Sequence, residues 1–274
     1  VLLKVLHGPD RLVQENVRPL HVLVRRERLG QPLLLRFVDG AEQVRYRLVI
    51  LSRNLTLDTS WDTIVQLDGV PSVDPPNFIG VVGDFLDRLA DLAVHALDTR
   101  RRGAVDGLAA ELRNVHWEKP PGVRWLRFHP LGPRFPSPKL SGDRVLAISP
   151  FLTERITRQL GMMAGPNVLV ARAAALDGVG QDAVAGFAQT YVLDTGQPPP
   201  VRLTSDGAAE PDVGLDEFDI EPPRPGAELS GLHAKVMLIE GGEYTTLWLG
   251  SANATDAAFG GNSEFAIELA FQPT

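Results

Sequence analysis

The chain contains no cysteine among its 274 residues, which excludes disulfide bonds and thiolate metal sites. It also contains no apolar run of about 18 residues, the length that a transmembrane helix requires. No signal-peptide pattern is visible at its start. A chain without cysteine suits a reducing compartment. These absences together predict a cytoplasmic protein that does not bind a membrane.

Basic residues are also scarce, since 27 Lys and Arg face 34 Asp and Glu and give a net charge of −7. Such a balance argues against a protein that coats nucleic acid along its whole surface, but it allows a local basic cleft. The hydrophobic content of 44% and the charged content of 22% are typical of a globular protein. The length predicts one large domain or two medium ones.

Residues that can perform chemistry are concentrated near the end of the sequence. His233 and Lys235 stand two apart in an apolar stretch, so they share one face of a predicted strand. Gly241-Gly242 and a second apolar stretch, 244–249, predict an antiparallel hairpin.

The sequence that follows this hairpin adds further polar groups. Gly250-Ser251-Ala252-Asn253 would bring Ser251 and Asn253 back beside His233 and Lys235. Asn262-Ser263-Glu264 then precedes the last apolar stretch, 265–271. An imidazole, an ammonium, an amide and a carboxylate therefore converge from one short region.

This set of side chains suits phosphoryl chemistry. Lys235 and Asn253 can bind non-bridging phosphate oxygens, and Ser251 can support them. His233 can attack phosphorus and carry a covalent intermediate. Glu264 can hold the second ring nitrogen of that histidine. The scheme needs neither a metal ion nor another cofactor, because Lys235 supplies the positive charge.

The pattern His233-x-Lys235-x4-Glu240, followed by Gly-Ser-x-Asn and Asn-x-Glu, resembles the HKD motif of the phospholipase D superfamily. Glu240 replaces the aspartate of that motif, which in the family usually serves structure. The resemblance implies an α/β fold of two similar halves, each a mixed β-sheet flanked by helices and related by a pseudo-twofold axis. It also implies a phosphohistidine intermediate on His233.

An internal repeat agrees with this resemblance. The order strand, turn, strand, Ser-x-Asn, acid, strand occurs in 33–67 and again in 236–271. The alignment pairs Ser52 with Ser251, Asn54 with Asn253, and Asp62 with Glu264. We therefore predict an N-terminal half over residues 1–118 and a C-terminal half over 119–274, with Ser52 and Asn54 adding phosphate-binding groups. Two unrelated Ser-x-Asn turns are the alternative.

The first copy of the motif is degenerate. Laying Asp39-Gly40 on Gly241-Gly242 puts Gln31 in the place of His233 and Leu33 in the place of Lys235. A glutamine is neither a phosphorus nucleophile nor a useful proton donor. His7 and His21 lack a neighbouring lysine, so the second catalytic histidine that the family mechanism requires is not identified. Trp61 is expected to pack rather than to stack on bases.

Three further segments carry expectations. Apolar spacing predicts a scaffold helix over 77–98, followed by Arg100, Arg101 and Arg102. These arginines would complement the dipole at a helix end or contact phosphates. The acidic, Pro- and Gly-rich stretch 195–230 would rim the site or be a solvated insert.

The sequence thus predicts a metal-independent phosphodiester hydrolase, a nuclease acting on DNA rather than a lipase. The preference for a nuclease depends on the compact length, the lack of membrane-binding features and an analogy with restriction- or defence-associated members of the family. One alternative is a homodimer in which two chains share a composite site. Another is a catalytically impaired module that binds nucleic acid or a partner protein in a defence or repair complex.

Overall fold

The computed structural model describes residues 32–38, 43–52, 61–73, 80–93, 95–193 and 231–273, together with the backbone of 2–3 and 20–21. The strands within these ranges are β1 (Leu2–Leu3), β2 (Leu20–His21), β3 (Pro32–Val38), β4 (Val44–Leu51), β5 (Ile64–Pro71), β6 (Val115–Trp117), β7 (Trp125–Leu131), β8 (Arg144–Ile148), β9 (Val168–Ala171), β10 (Gln189–Val192), β11 (Val236–Gly241), β12 (Tyr244–Gly250) and β13 (Glu264–Phe271). The helices are α1 (Val81–Asp91), α2 (Thr99–Leu112), α3 (Glu154–Gly161), α4 (Ala173–Val179) and α5 (Gln181–Val184), and a π-helical turn spans Ala257–Gly261.

The larger sheet has seven strands in the order β10-β9-β8-β11-β12-β13-β7. Its first three strands run parallel to one another, and the remaining pairs are antiparallel. A second sheet has four antiparallel strands in the order β3-β4-β5-β6. Strands β1 and β2 form a short antiparallel pair. The described chain is therefore a mixed α/β protein with few helices.

One apolar core joins the smaller sheet to part of the larger one. Tyr46, Leu48 and Ile50 alternate along β4 and are buried, as expected for a strand with one covered face. They belong to the same cluster as α1, α2 and the inner residues of β7 and β13. The rings of Phe85 on α1 and Phe265 on β13 lie 4.8 Å apart between centroids. This contact places α1 directly against the larger sheet.

A second apolar core covers the other face of the larger sheet. Met237, Ile239 and Trp248 of the central hairpin pack there with α3 and the π-helical turn. The central strands of the larger sheet are thus buried on both faces, which explains why β13 is almost wholly buried and, apart from Glu264 and Glu268, apolar.

The predicted helix over 77–98 is shorter in the structure and is followed by a separate helix. α1 ends at Asp91, and α2 begins at Thr99 with Asp98 as its N-cap, whose Oδ1 accepts a hydrogen bond from Arg101 N at 2.8 Å. Residues 77–79 lie outside the described ranges.

The expectation that Arg100–Arg102 complement a helix end was wrong, because they lie in the first turn of α2. Arg102 instead bonds Asp91 and Asp106 at 2.7 Å and Asp87 at 3.1 Å, which ties α1 to α2. The hydrogen bonds to Asp91 and Asp106 raise the pKa of the Arg102 guanidinium. This guanidinium is therefore committed to aspartates.

Some predicted positions cannot be placed. His7, Gln31, Asn54 and the acidic stretch 195–230 lie outside the described residues. None of the helices in the described ranges is long and apolar enough to cross a membrane.

Candidate active site

The motif residues meet at one end of the larger sheet. Val236 lies opposite Leu249, and Gly250 lies opposite Ala266. The segments 233–235, 251–253 and 262–264 therefore leave the sheet side by side. Strand β8 is antiparallel to β11 and parallel to β9. The carboxyl ends of β8 and β9 therefore lie at the edge where β11 begins. The topology thus collects five chain segments around one position.

Lys235 lies just before β11 and is buried, with 8% of its surface exposed. Its Nζ donates a hydrogen bond to the carbonyl oxygen of His233 at 3.0 Å. A buried ammonium needs hydrogen-bond acceptors or an anion nearby. The lysine therefore brings a positive charge directly behind the histidine.

His233 is half-buried, and its ring is held by an arginine that the sequence analysis did not identify. Arg172 Nη2 lies 3.0 Å from His233 Nε2. A guanidinium can only donate hydrogen bonds, so Nε2 is the acceptor and carries no proton. His233 in this arrangement is neutral, with its proton on Nδ1. An unprotonated Nε2 is the form that a nucleophilic histidine requires.

Arg172 directly follows β9 and has two further contacts. Its Nε donates to the carbonyl oxygen of Leu232 at 3.0 Å. Its guanidinium carbon lies 5.0 Å from the centre of the Phe151 ring. The apolar pattern over 167–173 predicts a strand that includes Arg172. The signal that could have identified it is its position just past the carboxyl end of a buried parallel strand, where ligand-binding groups of α/β sheets collect.

Ser251 connects β12 to β13. Its N–H donates to Phe265 O at 3.1 Å, and its Oγ accepts from Phe265 N at the same distance. These two bonds fix the place of Glu264, which immediately precedes Phe265. Glu264 is buried, and its Oε1 accepts from Asn262 Nδ2 at 3.4 Å. The role of Glu264 in orienting His233 stays a prediction.

Asn253 supplies a buried acceptor at the same edge. Its main-chain oxygen accepts from Thr255 N at 2.8 Å, whereas its side-chain Oδ1 is buried and accepts no hydrogen bond from the residues that the structure describes. Buried polar atoms of this kind are rare and occur at functional sites. The predicted phosphate-binding role of Asn253 is consistent with this position and stays a prediction.

Ser52 in the smaller sheet repeats the contacts of Ser251. Its N–H donates to Thr63 O at 3.0 Å, and its Oγ accepts from Thr63 N at 2.9 Å. Asp62 precedes Thr63 as Glu264 precedes Phe265, and it accepts from Ser52 Oγ at 3.2 Å. The hydroxyls of Ser52 and Ser251 both accept a hydrogen bond from neighbouring backbone, and the predicted phosphate-binding roles of the two serines stay predictions.

The strand register shifts the alignment of the first motif by two residues. Pro32 lies opposite Ile50 in β3–β4, and Val236 lies opposite Leu249 in β11–β12. When Ser52 is matched to Ser251, Pro32 therefore corresponds to Val236. Counting back along the sequence puts Gln31 at the place of Lys235 and Leu29 at the place of His233. The alignment over the glycine turns differed for two reasons. The first hairpin has one more residue pair, and Gly241 is the last residue of its strand whereas Asp39 follows the end of β3.

Trp61 joins the smaller sheet to the segment that carries His233. Its N–H donates to Gly231 O at 2.9 Å, and its carbonyl oxygen accepts from His233 N at 3.0 Å and from Ala234 N at 2.7 Å. The backbone makes this connection, so the side chain is left 67% exposed. The expectation that Trp61 packs was therefore wrong.

Other ionisable residues of interest lie elsewhere. His129 Nε2 is 2.9 Å from Glu268 Oε2, and its ring stacks on Trp248. Glu240 pairs with Arg144 across β8 and β11 at 2.7 Å, which is a structural contact. Within the described ranges, no three His, Asp or Glu side chains come together in a way that could hold a metal ion.

Comparison with known proteins adds no relative. No family model matches the chain, and no curated protein matches its sequence.

Proposed function

We propose that the chain is a phosphodiesterase of the phospholipase D type that cleaves DNA through a phosphohistidine on His233. The observation that carries the proposal is the 3.0 Å contact from Arg172 Nη2 to the unprotonated Nε2 of His233. A nucleophilic nitrogen and a cation that can bind a phosphate oxygen thus lie next to each other. Lys235 and Asn253 stand at the same end of the sheet.

The reaction proceeds in two displacements. In the first, the Nε2 lone pair attacks phosphorus, the bond to the leaving oxygen breaks, and an acid protonates that oxygen. In the second, the conjugate base of that acid takes a proton from water, the water oxygen attacks phosphorus, the N–P bond breaks, and the electron pair returns to Nε2. Nδ1–H stays on the ring throughout, where a carboxylate such as Glu264 stabilises the positive charge that develops.

Arg172 and Lys235 stabilise the negative charge that develops on the phosphate. Arg172 can turn its Nη2 from His233 to a non-bridging oxygen, because its Nε bond to Leu232 O fixes the other side of the guanidinium. Lys235 is buried behind the histidine, so its charge is poorly screened. These two cations replace the metal ion that many phosphoryl-transfer sites use.

We further propose that the chain consists of two similar halves, 1–118 and 119–274, related by a pseudo-twofold axis. The matching bonds of Ser52 with Thr63 and of Ser251 with Phe265 support this proposal. So does the shared position of Asp62 and Glu264. In this arrangement Asn54 would bind the same phosphate as Asn253.

The proposed substrate is DNA in the cytoplasm, and the proposed assembly is a homodimer or a larger defence or repair complex. A dimer would supply the second acid from another copy of the chain. The support for a nuclease over a lipase remains the compact length and the analogy described above.

The experiment is cleavage of single- and double-stranded DNA in EDTA by the wild type and by His233→Ala. We expect cleavage that persists in EDTA and disappears in the variant, since no other residue replaces the nucleophile. Arg144→Ala, which removes only the contact to Glu240, is the matched control and should retain activity. Cleavage by His233→Ala at the wild-type rate would overturn the proposal.

One observation favours a second function, a phosphate-binding module without turnover. The lone pair that must attack phosphorus is engaged by Arg172, and the first motif has neither a histidine nor a lysine at the matching places. General acid catalysis is typically worth ~10²–10⁴-fold, so a site without its second acid would be severely impaired. Binding of DNA without any cleavage would support this alternative.

A further inference from the structure

Two residues with exposed aromatic side chains, Trp61 and Phe151, are connected to His233 through hydrogen bonds or a shared neighbour. The side chain of Trp61 is 67% exposed and that of Phe151 is 42% exposed. Trp61 is bonded through its backbone to His233 and Ala234. Phe151 is linked to His233 through Arg172, whose guanidinium contacts both the Phe151 ring and His233 Nε2. Both aromatics therefore belong to the surroundings of the proposed nucleophile.

The backbone on which each ring stands is fixed. Trp61 makes three main-chain hydrogen bonds to residues 231–234. The carbonyl oxygen of Phe151 accepts from Ser149 Oγ at 2.7 Å, and the next residue, Leu152, forms a bridge with Ala254. An exposed large ring normally costs free energy through contact with water. Two such rings on rigid supports beside a cationic site indicate a ligand with flat apolar faces.

We propose that Trp61 and Phe151 stack on nucleobases next to the phosphate bound at His233, and that the substrate is single-stranded nucleic acid. This inference rests on the proposed function and names the substrate class of the same site. Stacking on aromatic side chains is how proteins hold single strands without reading their sequence. The faces of paired bases in a duplex are already covered by their neighbours, so a duplex offers nothing to these rings.

The charge of the chain supports a single strand over a duplex. A protein that binds duplex DNA through its backbone typically neutralises ~6–10 phosphates. Among the described residues, the cations at this site are Arg172 and Lys235, on a chain with a net charge of −7. Affinity must therefore come mainly from the aromatic rings and from one or two phosphates. Binding should depend only weakly on salt.

The test measures binding of a fluorescein-labelled single-stranded DNA oligonucleotide and of an abasic strand of the same length. The His233→Ala background prevents cleavage of the probe. We expect Trp61→Ala to weaken binding of the base-bearing strand by roughly 5- to 150-fold, the range that corresponds to loss of one stacked base. Binding of the abasic strand should not change. Phe151→Ala should behave similarly, and Trp61→Phe should restore most of the loss.

Two controls separate stacking from general damage to the surface. Met162→Ala removes an exposed apolar side chain at the end of α3 and should leave both affinities unchanged. Intrinsic fluorescence should be quenched by the base-bearing strand only when Trp61 is present. Trp117 and Trp248 are buried, and the half-buried Trp125 lies opposite Ala270, at the other end of β13 from Glu264.

The outcomes distinguish the two proposals. Wild-type affinity of Trp61→Ala for the base-bearing strand, or equal affinity of the protein for strand and duplex, would overturn the stacking inference. Loss of binding in Trp61→Ala with no cleavage by the wild type would confirm stacking and reject the proposed hydrolysis. Cleavage by the wild type and binding that depends on Trp61 would support both.

Discussion

At the scale of single residues, Arg172 determines the state of the proposed nucleophile. Its guanidinium selects the tautomer of His233 by donating to Nε2, and it is held in place by Leu232 O. The contact has two consequences. In the proposed mechanism, it keeps the imidazole neutral before substrate binds, and it is exchanged for a phosphate oxygen before Nε2 attacks.

Replacement of Arg172 by lysine should lower activity although the charge is kept. Lysine has one nitrogen and cannot contact Leu232 O, His233 Nε2 and the face of Phe151 together. A lost hydrogen bond of a charged group costs ~1.5–3 kcal/mol, so we expect kcat/KM for a p-nitrophenyl phosphodiester to fall about 10- to 100-fold. The kcat/KM of Arg172→Ala should be lower still.

Arg155→Lys is the matched control, because Arg155 pairs with Asp256 on the surface. Its kinetics should match those of the wild type. An unchanged kcat/KM in Arg172→Lys would show that the contacts of the Arg172 guanidinium do not contribute to the reaction.

The sequence predicted the residue types of the site but not their full set. His233, Lys235, Ser251, Asn253 and Glu264 could be predicted because their spacing is local and unusual, and their roles stay predictions. Arg172 was missed because its position depends on β9 ending at the edge where β11 begins, which is a long-range property of the sheet. The exposure of Trp61 was missed for a similar reason, since its backbone contacts come from residues 231–234.

At the scale of elements, the approach of β12 to β13 depends on a glycine. Gly250 has φ of +155°, and a Cβ at this position would overlap Phe265 O and press on Ala266. Gly250→Ala should therefore lower the free energy of unfolding by about 2–4 kcal/mol through strain and overpacking. Urea denaturation measures this loss, and activity should fall with it because Ser251 is displaced.

Substitution of a second glycine, Gly107, should have the opposite effect on the free energy of unfolding. Gly107 lies on the exposed side of α2, and a Cβ there meets nothing within 4 Å. Gly107→Ala should raise the free energy of unfolding by about 0.5–1 kcal/mol, because alanine favours a helix. Equal effects of the two substitutions would contradict the steric account of Gly250.

Alkaline pH should weaken the contact between β4 and α2. Burial, and then the hydrogen bond to Glu111, raise the pKa of Tyr46 to about 12 from an ordinary value of 10.0. The unfolded chain ionises first, so the contribution to stability is complete below pH ~10 and is lost as the pH rises through ~12. The loss amounts to about 2–3 kcal/mol.

The measurement is denaturation at several pH values between 9 and about 12, in the wild type and in Tyr46→Phe. The variant lacks the phenol, so its stability should fall less steeply over this window. Identical slopes in the two proteins would show that Tyr46 is not responsible.

Sequence patterns identified most elements but not their ends. The central hairpin and β3, β4 and β13 follow from apolar stretches separated by glycine turns. The short strand β6 was missed because Val115–Trp117 continues directly from α2 and becomes a strand only by pairing with β5. The sequence over 177–187 predicts one helix, whereas the structure has two short helices, α4 and α5, because Gly180 takes φ of +77° between them.

At the scale of the whole molecule, the predicted boundary between residues 118 and 119 is crossed by a continuous core. Phe265, Ile267 and Leu269 pack in the same cluster as α1, α2 and β4. Separating the two predicted halves would expose the apolar residues of this core to water. The parts are therefore expected to unfold together.

Calorimetry should accordingly show a single thermal transition, with the calorimetric enthalpy equal to the van't Hoff enthalpy. Two resolved transitions would mean that the shared core contributes little and that the predicted halves are independent domains. Gly107→Ala, which lies on one side of the boundary, should shift the single transition as a whole.

The central claim is that His233 carries a covalent phosphoryl intermediate, and trapping that intermediate tests it most directly. A DNA strand labelled with radioactive phosphate at every linkage is mixed with the enzyme in EDTA and quenched in alkaline denaturant, in which phosphohistidine survives. We predict label on the wild-type protein that is lost in acid and is absent from His233→Ala. Product formation without protein-bound label in the wild type, or equal labelling of His233→Ala, would contradict the account.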